Sequence, residues 1–316
     1  MNLIDFFDKC RFWGTNRNRF LSKIYFYSII NKIVIVIANF ILPLYFEITK
    51  NNPKYSIFCN NGDKNKDKDR IIVSLTSFHV RVPKLWLVVE TILRNRVKPD
   101  KIVLYLQLSK IEDIPYKLYR MKDRGVEFVL CDTSLRSHNK YYHAFRSFPN
   151  DYIITIDDDM FYRTDFIESL INNHEKYPNM IITNWAKKIS IDTPMYKGWG
   201  EPNGSEVSVA LLPIGVAGVL YPPQSLYKDV LDEKLIKSLS MTADDVWLTA
   251  MALLKGTKKY FSGYKQNFLP VLIKNNVTLD TSNVGGNVNQ VCVDNINNYY
   301  KEKLDIRPFI DLVDKQ

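Results

Sequence analysis

Cysteine is scarce in this 316-residue chain, and the four present, at positions 10, 59, 131 and 292, form no CxxC pair, zinc-ligand spacing or dense disulfide framework. A small disulfide scaffold and a cysteine-ligated zinc centre are excluded, and a reducing, cytosolic setting fits best. Histidine is equally sparse: none follows residue 174, and His138 and His143 lack any partner pattern that marks metal ligands or bases. The N-terminus lacks the basic region, short apolar core and small-residue cleavage site of a secretory signal, because Asp5 and Asp8 stand where positive charge belongs. Export is therefore not expected. There is no internal repeat, and no low-complexity segment apart from one charged stretch. The net charge of +9 is not gathered into a single basic tract, which favours anionic membrane surfaces or phosphorylated ligands over nucleic acid.

With 46% apolar residues and 13% aromatics, the chain can build a buried core. The most apolar tract, "IYFYSIINKIVIVIANFILPLYF" at 24–46, is about long enough to cross a bilayer, but Asn31, Lys32, Asn39 and Pro43 interrupt it. Arg11, Arg17, Arg19 and Lys23 precede it, a pattern suited to the cytoplasmic leaflet. Three readings stay open: a membrane span, peripheral or anchored contact with the membrane surface, and a helical pair packed on the main domain. Residues 60–70, "NNGDKNKDKDR", read as a charged linker. The division is thus an apolar and basic helical extension at 1–59, a linker at 60–70 and a main domain at 71–316.

From residue 70 the pattern alternates. "RIIVSLTSF", "KIVLYLQL", "VEFVLC" and "DYIITID" read as strands, with helices over 83–95, 113–124, 138–148 and 164–176 between and after them. This spacing predicts an α/β domain with a mainly parallel sheet covered by helices, and ligands at the carboxyl ends of its strands. Further on come a strand near "MIITNW", a polar loop through "YKGWGEPNGSE", a strand or turn at "GVAGVLYPP", and helices near 224–239 and 244–255.

The stretch "DYIITIDDDM" ends a strand in Asp157, Asp158 and Asp159. Three adjacent carboxylates in a poorly hydrated crevice repel one another unless a cation neutralises them, and a hard divalent ion, Mg2+ or Mn2+, does so while keeping positions free for phosphate oxygens. Alternation along an extended chain sends Asp157 and Asp159 to one side, so these two can share a metal. The competing reading is a solvated acidic turn that caps the next helix.

"ITIDDDMFY", with "IIVSLTSF" upstream and "GVAGVLYPP" and "ADDVWL" downstream, resembles a bacterial glycosyltransferase of the GT-A fold, of the family 2 type that builds surface polysaccharides. The likeness covers about residues 70–275. It implies a nucleotide-sugar donor, a glycan or lipid-linked saccharide acceptor, and Mn2+ or Mg2+ held at Asp157 and Asp159. The implied donor-binding set is Thr76, Ser77, Arg81, Asp132, Lys140, Asp157, Asp158 and Gly218, with base and ribose near Thr76 and Ser77 and base reading at Asp132. Arg81 pairs with the diphosphate in this reading, and Lys140 and Arg136 either offset its charge or are merely solvated. Gly215 and Gly218 allow close backbone approach, or form a plain bulge.

In "MTADDVWL", Thr242 and Asp245 read structurally as a helix cap with its reciprocal partner. The resemblance instead assigns Asp245 as the base of an inverting transfer, with Asp244 near the acceptor. The helix terminus would then keep Asp245 ionised and weakly basic. Trp199 is the candidate for covering an acceptor sugar ring, and the polar 186–207 region is the candidate for ordering over bound donor. No C-terminal histidine is available as a metal ligand of the kind some GT-A enzymes use. A nucleotidyltransferase on a similar sheet is the first alternative, although "SLTSFHVRV" contains no glycine for a triphosphate loop. A non-catalytic carbohydrate-binding or scaffold protein is the second.

Overall fold

A computed structural model describes residues 2–11, 26–60, 70–132, 135–193, 195–273 and 287–313. Arg17, Arg19, Lys23 and nearly all of the charged linker lie outside the described residues. The strands, in chain order, are β1 (Ile71–Phe78), β2 (Lys101–Gln107), β3 (Val126–Leu130), β4 (Tyr152–Thr155), β5 (Met160–Phe161), β6 (Ile181–Thr183), β7 (Ala186–Lys188), β8 (Glu206–Ser208), β9 (Leu211–Pro213), β10 (Val219–Tyr221), β11 (Lys259–Phe261) and β12 (Leu269–Pro270). Eight of them form one sheet in the order β3-β2-β1-β4-β10-β6-β11-β8, with β5–β12 and β7–β9 as separate pairs.

β1 is buried along nearly its whole length, as a central parallel strand must be, and pairs in parallel with both β2 and β4. Strands β3, β2, β1, β4, β6 and β11 run one way, while β10 and β8 run the other. The mainly parallel sheet flanked by helices, with an N-terminal helical extension, is therefore the arrangement found. Alternation along β1 divides the core: Val73 and Leu75 face the helices Val82–Leu93 and Phe166–Lys176, while Ile72 joins Val103, Tyr105 and Ile153 on the other side. A further core gathers Val219 and Tyr221 of β10 with Trp247 of the helix Asp244–Lys255 and Tyr300 of the helix Val288–Leu304.

The antiparallel β10 has a functional consequence. Its first residue, Val219, pairs with the last residue of β4, Thr155. The loop entering β10 and the acids leaving β4 thus meet at the same edge of the sheet.

Two expectations need correction. The 113–124 segment is a four-residue helix, Tyr116–Tyr119, followed by a tighter turn, Arg120–Arg124. The 224–239 segment is likewise split into Lys228–Leu231 and Glu233–Leu239. From Phe26 onward the apolar tract lies in one continuous helix, Phe26–Thr49, with Pro43 inside it.

Candidate active site

The site is built from five chain segments that converge at the carboxyl end of β1 and β4. From β1, the Ser77 hydroxyl donates to Asp158 Oδ2 at 2.6 Å. In the turn that follows, Arg81 Nη1 reaches Asp158 Oδ1 at 2.6 Å and Asp159 Oδ2 at 2.9 Å. Asp158 is thus turned back into the protein, buried, tying the tip of β4 to the tip of β1. Burial raises its pKa against the pull of Arg81 and Ser77. Asp159 is pushed up to about 6, first by burial and then by the charges of Asp158 and Asp157.

Asp157 is paired with a different cation. Its Oδ1 accepts from Lys140 Nζ at 2.7 Å, and its backbone is fixed by the Tyr162 hydroxyl, which lies 2.9 Å from the Asp157 amide. Lys140 lies in the first turn of the helix Asn139–Ser147, whose start is tied to β1 by a short hydrogen bond from the Ser74 hydroxyl to the Lys140 carbonyl. The same ammonium forms an ion pair with Asp244 Oδ2 at 2.8 Å. Burial opposes the charge on Lys140, but Asp157 and Asp244 outweigh it and hold the amine protonated.

Asp244 and Asp245 begin the helix Asp244–Lys255, and here the capping reading fails. The N-cap is Ala243 with no side-chain hydrogen bond, and the Asp245 carboxylate turns away to accept the Gly215 amide at 3.1 and 3.2 Å. Nor is Asp245 kept weakly basic by the helix terminus. Burial, then Asp244 and Asp157, push its pKa up to about 8, whereas Asp244, facing Lys140, is lowered despite its burial. A β-carbon at Gly215 would lie 2.9 Å from Lys140 Nζ and 3.1 Å from Asp245 Oδ1, so a side chain here would press on both charged groups.

Other expected site residues fall elsewhere. Gly218 does not face the crevice; its φ is +80° and an added β-carbon would sit 2.4 Å from the Phe166 ring, so it is a packing glycine. Trp199 is 4% exposed, packed between Tyr196 and Phe309 with its indole N–H on the Thr193 carbonyl, so its ring is unavailable to a sugar. Lys140 is neither solvated nor free for a diphosphate. Thr76, two residues before the end of β1, donates its hydroxyl to the Tyr105 carbonyl, and Asp132 stands exposed just past β3, two strands away on the same edge. Arg136, also exposed, gives its backbone carbonyl to Gln107. His138 is a structural bridge, joining Tyr141 at 2.7 Å to the Ser240 carbonyl at 2.8 Å. Sequence reasoning assigned no role to Tyr162 or to the Gly215 amide. The only signals were a tyrosine three residues beyond the acids and a glycine in a loop of small residues.

The charge balance decides what the crevice lacks. Asp157, Asp158, Asp159, Asp244 and Asp245 face only Arg81 and Lys140 as paired cations among the described residues. No group of three or more His, Cys, Asp or Glu side chains forms a ready-made metal cage among those residues. The donors present nevertheless fit a hard dication that takes part of its shell from a ligand. Asp157 and Asp159 are partly exposed, and Asp157 Oδ2 and Asp159 Oδ1 accept no hydrogen bond from the described residues. With a proton on Asp245, the remaining four acids and two bases leave a deficit of about two positive charges.

The family described as "Glycosyl transferase family 2" matches residues 75–236, just over half of the chain and all of the crevice except Asp244 and Asp245. No curated protein matches. Among solved structures, a mannosyltransferase from Pyrobaculum calidifontis in complex with GDP-Man and Mn2+ is 12% identical and aligns over 90% of this chain and 79% of its own, with a TM-score of 0.48. A UTP-bound UGPase from Acinetobacter baumannii is 11% identical over 75% of this chain and 95% of its own, with a TM-score of 0.40.

Proposed function

The chain belongs to glycosyl transferase family 2, and from that premise we propose that it moves a sugar from a nucleotide-sugar donor to a hydroxyl of a glycan or lipid-linked acceptor, with inversion, at a membrane surface during surface-polysaccharide synthesis. The observation that carries this reading is the unbalanced negative crevice, with one carboxylate, Asp245, raised to about 8 at its centre. Mn2+ or Mg2+ held by Asp157 and Asp159 would neutralise the donor's diphosphate as it departs. Arg81 and Ser77 hold Asp158 and thereby fix the loop that presents those two acids. Thr76 and Asp132 line the edge proposed for the donor's nucleoside.

Asp245 takes the proton. The acceptor oxygen bonds to the anomeric carbon as the bond from that carbon to the diphosphate oxygen breaks, and the hydroxyl proton passes to the carboxylate. A pKa near 8 makes Asp245 a stronger base than an ordinary aspartate once ionised. Asp244 keeps Lys140 charged, and Lys140 in turn positions Asp157. The Gly215 amide orients Asp245. The test is donor turnover with Mn2+, measured by release of nucleoside diphosphate from wild type and Asp159→Ala. Release that the substitution abolishes is expected. Pyrophosphate release would indicate nucleotidyl transfer instead, and no turnover with any donor would indicate a scaffold.

A further inference from the structure

We propose that the helix Phe26–Thr49 is an in-plane docking element for an anionic phospholipid surface and not a membrane span. The inference rests on the membrane-surface part of the proposed function and is independent of its chemistry. By length and composition this one described helix could cross a bilayer. At 1.5 Å per residue it is roughly 36 Å long, against a hydrocarbon core of about 30 Å.

Its attachments forbid that use. Ala38, Leu42 and Phe46 are fully buried in the core shared with Trp86 and Phe161. Asn39 donates to the Pro270 carbonyl at 2.9 Å and accepts the Leu272 amide at 2.8 Å. Arg94 reaches Thr49 Oγ1 at 2.8 Å, and Glu47 pairs with Arg120 at 2.9 Å and Lys117 at 3.2 Å. A spanning helix would either pull these charged groups and backbone into hydrocarbon or tear away from the domain.

The opposite face is open and apolar. Ile29, Ile33, Val36, Phe40, Leu44 and Ile48 are each more than half exposed, and their spacing of three or four residues makes one continuous stripe. Charge selects lipid as the occupant. The helix's one acid, Glu47, is neutralised by Lys50, Lys117 and Arg120, and Lys32 is exposed one turn from Ile29 and Val36. Beside Glu47 the segment Tyr116–Tyr119 adds two exposed tyrosines, the aromatic and cationic rim that suits a headgroup layer. A second copy of the chain would cover the stripe but has no use for that rim. The contact also reaches the site: between the two residues held by Asn39, the Val271 amide donates at 2.8 Å to the backbone carbonyl of Asp159, one of the three clustered acids.

The full chain is mixed with vesicles of phosphatidylcholine, with and without phosphatidylglycerol, and binding is followed by flotation. Binding that needs phosphatidylglycerol is expected. Phe40→Asp and Ile33→Asp should each weaken partition by about tenfold or more with unchanged melting temperature, since both positions are exposed. Asp245→Asn should bind as wild type does, so a failed enzyme assay leaves this inference standing. Tryptophan placed at Ile29, Phe40 or Ile48 should be quenched equally, beyond the parent chain, by lipids brominated at shallow acyl positions. Deep quenching at Phe40 with shallow quenching at both ends would establish a span and overturn the proposal. Failure to bind either vesicle would overturn it too, with a dimer in sedimentation pointing to a second copy.

Discussion

Replacing Asp245 with asparagine should make the folded chain more stable at alkaline pH, and the size follows from the site. The carboxyl is raised from 3.8 to about 8 by burial and by Asp244 and Asp157. At 1.36 kcal/mol per pKa unit the penalty for ionising it is at most about 6 kcal/mol, and about 3 kcal/mol once partial exposure and relaxation are allowed for. The folded state binds this proton more tightly than the unfolded chain does. The residue's contribution is therefore most favourable below the unfolded pKa and is lost as pH rises through the folded value. Asparagine keeps an oxygen for the Gly215 amide but has nothing to ionise. Urea unfolding of both proteins in chelator, at several pH values from about 4 to about 9, should give a stability difference near zero in acid that grows to about 3 kcal/mol in favour of the variant. A difference that stays flat across that window would refute the electrostatic account of the crevice.

Transfer itself should report the same group: kcat/KM is expected to rise with pH through about 8 and then level, and a fall across that range would remove Asp245 as the base. The two loop glycines should separate by readout. Gly215→Ala, which drives a methyl against Lys140 and Asp245, should cost about a hundredfold in turnover with little change in stability. Gly218→Ala, at positive φ and against Phe166, should cost about 2 kcal/mol or more of stability, measured by thermal unfolding. Lys259 is fully buried with its ammonium on the Val209 carbonyl at 2.7 Å, and burial pushes its pKa down to about 7. It therefore destabilises the fold increasingly as pH falls from 10.5 toward 7. Lys259→Met should raise stability by about 2 kcal/mol at neutral pH, and a less stable variant would contradict that sign.

Much of the frame was legible because it is local. β1, β2 and β4 are apolar runs between turn signals, and the helix Asp244–Lys255 falls where its apolar period places it. The acids that follow β4 stood out because three carboxylates after a buried strand need a reason, and the structure gathers them with Ser77, Arg81 and Lys140. What stayed hidden is set by distant pairing. β10 has three residues and owes its existence to β4 and β6, far away in sequence. Lys140 and Trp199 look like surface side chains until the helix Asn139–Ser147 is seen against β1 and Trp199 against Phe309. The elevated pKa of Asp245 depends on burial and on neighbours about ninety and one residues away in sequence, so no local pattern announces it.

The central claim is that the crevice is short of positive charge and takes a dication together with a diphosphate. Calorimetric titration of the wild-type chain with a nucleoside diphosphate, in Mn2+ and in chelator, tests it most directly. Binding in Mn2+ that is lost in chelator, and equally lost in Asp157→Asn and Asp159→Asn, is the expected result. Binding of the same strength in chelator, or in either variant, would contradict it.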